Sequence, residues 1–109
     1  MKKKPTMPKI SEKVFTKQVI DLARWHKWLV AHFRTSMNAS GRWMTAVQGD
    51  GAGFPDLVLA RNGEVIFAEL KTEIGKLSPK QVDWYKALPQ RSYYLWRPSD
   101  YPEIERTLK

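Results

Sequence analysis

Asp56, Glu69 and Lys71 are the residues whose types and spacing could do chemistry together in this sequence. Taken one at a time they read as solvated side chains: a glutamate–lysine ion pair, and an aspartate closing a glycine-rich loop. Their setting changes that reading. Two strand-like runs, 56–60 and 64–71, flank Arg61-Asn62-Gly63-Glu64. Asn-Gly between two such runs favours a two-residue type I′ turn, because both turn positions need positive φ. With Asn62 and Gly63 as the turn, Arg61 faces Glu64, Ala60 faces Val65, Val58 faces Phe67 and Asp56 faces Glu69. Directly opposed residues project from one face with Cβ atoms about 4.5–5.5 Å apart, and Lys71, two residues past Glu69, shares that face. Like charges opposed in this way destabilise a sheet, so a compensating cation is expected. Two carboxylates with backbone carbonyls and water form a hard oxygen site suited to Mg2+ or Mn2+. A lysine beside such a site can orient or help deprotonate an attacking water and stabilise charge on a phosphate.

The elements that must position these groups follow from local patterns. Ser11 is a helix N-cap with Glu12 in the first turn, and Phe15, Val19, Leu22 and Trp25 recur at helical spacing. A short strand is expected over 28–33. Residues 34–54, rich in Ser, Asn and Gly, read mostly as loop, long enough to be a candidate for function or partner contact. After the hairpin, Ser78-Pro79-Lys80-Gln81 opens a second helix with Pro at its first position and a Ser-x-x-Gln capping box; it runs to about Leu88, before Pro89. A strand over 92–96 and a closing helix over 100–108 complete an α/β domain with a mixed sheet, residues 11–109, behind a flexible basic arm, 1–10. Trp25, Trp28, Trp84 and Trp96 fall in these elements and are expected in the core or an interface; Trp43 falls in the long loop.

Composition narrows the partners. The 109 residues contain no cysteine, which excludes a disulfide framework, a cysteine zinc site and a thiol nucleophile. His26 and His32 have no partner at metal-ligand spacing and read as structural or surface residues. No apolar run reaches the ~20 residues of a membrane span, so no membrane partner is expected. Gly49, Gly51 and Gly53 precede a strand, and no Gly-Lys-Ser/Thr follows, so no nucleotide cofactor is expected. Net charge is +8, with +7 of it in residues 1–34, which points to a polyanionic partner such as DNA. Lys2, Lys3, Lys4, Lys9, Lys13 and Lys17, with Arg42 in the loop, are the candidate phosphate contacts.

Gly53-Phe54-Pro55-Asp56-Leu57 followed by Ala68-Glu69-Leu70-Lys71 resembles the PD-(D/E)XK nuclease signature. Leu77-Ser78-Pro79-Lys80-Gln81-Val82-Asp83-Trp84 is similar to the segment that marks the VRR-NUC branch of that superfamily. The resemblance covers residue 11 to about 97 and matches minimal stand-alone members of phages and bacteria, hence a cytoplasmic setting. It implies a restriction-endonuclease-like core, a mixed central β-sheet with flanking helices in the order α-β-β-β-α-β-α. It also implies that Asp56 and Glu69 are metal ligands with the Leu70 carbonyl, and that Lys71 positions the attacking water. Glu12 matches the acid of the first helix, directly or through water, although the helix dipole alone accounts for a glutamate there. Gln81 matches the family's glutamine, although its place in the capping box accounts for it equally. The expected function is a Mg2+-dependent structure-selective endodeoxyribonuclease, with Mn2+ able to substitute, acting as a homodimer on branched DNA such as four-way junctions. The alternatives are a non-catalytic basic DNA-binding protein and a nuclease of linear duplex or flap DNA.

Overall fold

The computed structural model describes residues 10–33, 35–37, 39–41, 43–45 and 48–109, with the backbone alone for 35–37 and 43–45. Helix α1 (Glu12–Trp25) starts at the expected cap, where the Ser11 hydroxyl accepts from the Val14 N–H at 3.1 Å. Phe15, Val19 and Ala23 form its fully buried stripe. It ends in a Schellman-type turn: Trp28 N donates to Ala23 O and Lys27 N to Arg24 O, with Lys27 in the left-handed region at φ 69°. Six strands follow among the described residues: β1 (Leu29–His32), β2 (Thr35–Met37), β3 (Trp43–Thr45), β4 (Leu57–Arg61), β5 (Glu64–Leu70) and β6 (Tyr93–Trp96). Helix α2 (Pro79–Ala87) lies between β5 and β6, and α3 (Tyr101–Leu108) closes the chain.

The main sheet has the order β1-β4-β5-β6, antiparallel except for the β5–β6 pair, so it is mixed as expected for a restriction-endonuclease-like core. The hairpin register agrees with the turn chemistry. Arg61 pairs with Glu64, Ala60 with Val65 and Val58 with Phe67, around Asn62 at φ 50° and Gly63 at φ 80°. Because strand side chains alternate, Leu57, Leu59, Ile66, Ala68, Leu70 and Trp96 face one side, where the stripe of α1 and Ile104 and Leu108 of α3 cover them. Phe67, Glu69 and Tyr93 face the other side, towards α2. The sheet therefore separates an apolar core from a second layer that holds the charged residues.

Arg61 locks the core layer at the turn end of the hairpin. Its guanidinium lies 4.3 Å over the Trp28 ring and donates to the carbonyls of His26 (2.9 Å), Leu108 (3.1 Å) and Lys109 (3.2 Å). Trp28 Nε1 donates to the same Leu108 carbonyl at 3.0 Å. One side chain thus satisfies the ends of α1 and α3 together. Replacing Arg61 with Ala is expected to cost about 2–3 kcal/mol, which lowers the melting temperature by roughly 10 °C in a domain of this size. Arg61→Lys should recover only part of this, since an ammonium lacks the planar fork. An unchanged melting curve for Arg61→Ala would refute the role.

Two sequence expectations need correction. The segment 34–54 is not simply loop: β2 and β3 pair antiparallel as a separate two-stranded sheet, Thr35 with Thr45 and Met37 with Trp43. Three residues per strand is too short for alternation to show in the sequence. Of the core-or-interface expectation for Trp25 the core half falls, since Trp25 is 78% exposed; it sits at the margin of the α1 stripe, where periodicity does not say how far the sheet extends. Trp28 and Trp96 are buried, and Trp84 is half-buried. Lys2, Lys3, Lys4 and Lys9 of the arm, Arg42, and the side chain of Trp43 lie outside the described residues. No described helix is long and apolar enough to cross a membrane.

Candidate active site

The open end of the β4–β5 hairpin gathers the acidic residues. Asp56 stands one residue before β4, just past the last ladder pair, Leu57 with Ala68. Its carbonyl accepts from Phe33 N at 2.9 Å, and its side-chain Oδ2 accepts from Leu70 N at 2.8 Å. The carboxylate is therefore fixed on the peptide that follows Glu69. Glu69 points to the α2 side of the sheet and is 2% exposed, the one buried charged side chain among the described residues. Lys71 continues β5 by one residue, its N–H donating to Trp96 O at 3.0 Å, and its side chain is half-buried.

Helix α2 supplies the cover. Ser78 and Gln81 form the expected capping box: Ser78 Oγ accepts from Gln81 N at 3.3 Å, and Gln81 Oε1 accepts from Ser78 N at 2.8 Å. The same Gln81 amide uses Nε2 to donate to Glu69 Oε1 at 3.1 Å. The two readings of Gln81 are thus compatible, since the cap orients the amide that reaches the carboxylate. No α2 residue is buried, yet the helix is tied down at its other side chains. Trp84 Nε1 donates to Asp50 O at 3.0 Å and its ring meets Phe54 edge-on at 4.8 Å, while Tyr85 meets Tyr93 at 5.1 Å. Phe54 in turn meets Phe33 and Phe67.

The electrostatics follow from this packing. Burial first, then the Asp56 charge and a hydrogen bond with Asp56, together push the Glu69 carboxyl up to about 9 against the opposing pull of Lys71. Glu12 is exposed in the first turn of α1, yet its carboxyl is also raised, first by partial loss of water and then by Asp56, against Lys71. The helix acid therefore feels the hairpin groups from the opposite layer. It does not join them at contact: among the described residues, no three acidic or histidine side chains are close enough to hold a metal together. Nor does any described lysine or arginine form an ion pair with Asp56 or Glu69, the one such pair being Lys17–Asp21 at 2.7 Å. Two adjacent carboxylates, one buried and neither neutralised at contact by a described side chain, fit a hard divalent cation.

Tyr93 was not visible as a site residue in the sequence. Its hydroxyl is buried without a hydrogen-bond partner, and its proton is held to about 12 by burial, then by Glu69, Asp56 and Tyr85. Tyr93 pairs with Phe67, two residues before Glu69 on the same face, through the parallel β5–β6 register. That register depends on the α2 crossover and leaves no local signal. Lys13 and Lys17 are exposed on α1, and an exposed pair such as Lys17–Asp21 is weak enough to open for another anion.

Comparison with known proteins agrees with the geometry. The VRR-NUC domain family matches residues 12–95, from the first helix to the strand after α2. Neither a curated protein nor a solved structure matches the sequence. The matched span includes both hairpin carboxylates, the lysine and the capping-box glutamine, and the chain belongs to the VRR-NUC family of nucleases, within the PD-(D/E)XK superfamily.

Proposed function

We propose that the protein is a Mg2+-dependent, structure-selective endodeoxyribonuclease that cuts branched DNA as a homodimer. The observation that carries this reading is the convergence of Asp56, buried Glu69 and Lys71 at one end of a hairpin, with no described side chain neutralising the acids at contact. Asp56 and Glu69, with the Leu70 carbonyl, would hold the cation. When bound, such a cation polarises a phosphate oxygen and lowers the pKa of a coordinated water.

The protein's own groups do the remaining work. Lys71 orients the attacking water and offsets charge on the non-bridging phosphate oxygens. Gln81 holds Glu69 in one orientation through its 3.1 Å bond. Glu12, kept out of contact range, acts on water between itself and the hairpin acids. Lys13 and Lys17, with Lys2, Lys3, Lys4, Lys9 and Arg42, supply contacts to the DNA backbone, so binding weakens steeply with salt. Two copies related by a two-fold axis would present two such sites to opposed strands.

The test uses end-labelled four-way junction, flap, single-stranded and linear duplex DNA, each with Mg2+, Mn2+ or EDTA. Paired metal-dependent nicks on the junction are expected. Discrete cuts in linear duplex or at a flap would replace the junction reading, and DNA binding without any cutting would leave a binding protein. Light scattering that finds only a 12.7 kDa species at working concentration would refute the dimer.

A further inference from the structure

We infer that Gly53 is a positioning residue of this site: its missing side chain is what lets the Lys80–Gln81 peptide seat against the loop, and so keeps the Gln81 amide on Glu69. A Cβ at residue 53 would lie 2.5 Å from the Lys80 carbonyl carbon and 2.7 Å from both Lys80 O and Gln81 N. All three atoms belong to one peptide group, so no side-chain rotation relieves the clash. Either the loop or the first turn of α2 must move, and each carries part of the site. The loop enters Asp56 three residues later, whose Oδ2 is bonded to Leu70 N. The helix turn carries Gln81, with one end of its amide on Ser78 N at 2.8 Å and the other on Glu69 at 3.1 Å. A backbone shift at Lys80–Gln81 therefore passes directly to the bond on Glu69.

Gly53 also has φ +83°, which strains any L side chain, and the fold provides a control for that strain. Gly63, in the hairpin turn, has φ +80° and nothing within 4 Å of its would-be Cβ. Alanine there meets a similar positive-φ penalty with no clash, at the opposite end of the hairpin from the acids. The difference between the two substitutions isolates the contact with α2.

The inference rests on the proposed reading of the acidic cluster, and the experiment separates the two. Gly53→Ala, Gly63→Ala, Gln81→Ala and the Gly53→Ala/Gln81→Ala double variant are compared. The readouts are melting temperature, DNA affinity in EDTA, single-turnover cleavage of junction DNA, and Mn2+ affinity by electron paramagnetic resonance. Gly63→Ala is expected to cleave and to bind Mn2+ as the wild type does. Gly53→Ala should stay folded, bind DNA within about twofold of wild type, cleave about a hundredfold more slowly, and bind Mn2+ more weakly. If Gly53 acts through Gln81, the double variant loses no more than the weaker of its two parents, because coupled residues are not additive. Wild-type cleavage and Mn2+ affinity in Gly53→Ala, losses that multiply in the double variant, or Gly53→Ala protein unfolded where Gly63→Ala is folded would each overturn the inference. Wild-type protein that binds Mn2+ but cuts nothing would overturn the nuclease reading alone, leaving the Mn2+ affinities to decide Gly53. Wild-type protein that does neither overturns both.

Discussion

Glu69→Gln is expected to abolish cleavage while stabilising the metal-free protein at alkaline pH. Glutamine keeps the shape of the side chain and can still meet Gln81, but it carries no charge for a cation. On the proposed reading, losing one of the two carboxylates that would hold the cation removes several kcal/mol of transition-state stabilisation, which corresponds to about a thousandfold or more in rate. DNA binding, proposed to rest on lysines elsewhere, should persist. The stability gain has a separate cause. Glu69 is buried beside the Asp56 charge, and its carboxyl is raised from an ordinary 4.5 to about 9. Near pH 8 the unfolded chain releases that proton readily and the folded chain does not, so the native state is penalised. Glutamine removes the penalty. The melting temperature should rise at about pH 8 and change little at about pH 5. A variant that loses cleavage and also melts lower at alkaline pH would show that Glu69 holds the fold rather than the chemistry.

The wild-type protein without metal should lose stability steadily as pH rises from about 4.5 towards 9. The sign follows from the direction of the shift: a carboxyl whose folded pKa is raised contributes stability below its unfolded pKa and loses it as pH climbs through the folded value. A divalent cation reverses the trend by replacing the proton as the countercharge. At about a hundredfold excess over its dissociation constant, Mg2+ or Mn2+ adds about 2.7 kcal/mol, or roughly 10 °C or more for a domain of this length. The gain should be largest near pH 8 and smaller near pH 5, where protons compete for Glu69. Glu69→Gln should lack the response. Melting curves that ignore both metals across this range would sink the assignment of the site as a metal centre.

The hairpin at the centre of the site was legible because its determinants are local. Asn62-Gly63 sets a two-residue turn, and a turn of known length places Asp56 and Glu69 at the same end without knowledge of any other element. The two helix starts were legible for the same reason, since Ser11 and Ser78 each bond within their own first turn. The contacts between elements were not. That Gln81 closes its cap and reaches Glu69 depends on α2 crossing over the sheet, and that Gly53 must have no side chain depends on where this crossing lands. That Trp25 lies outside the core was not legible either, because helical period identifies a stripe but not its width. The paired strands β2 and β3 were missed because three residues show no period at all.

The amino-acid sequence by itself determined which groups meet at the hairpin end, and hence the kind of chemistry open to the chain. It also determined the helix caps and the order of the main elements, because each of these is written in residues a few positions apart. Tertiary structure alone decided how those groups behave. Whether Glu69 is charged depends on how much water the neighbouring layers exclude, and whether Gln81 restrains it depends on a backbone approach between segments almost thirty residues apart. Desolvation and close packing are properties of what lies across the interface, and no single segment of the chain carries that information.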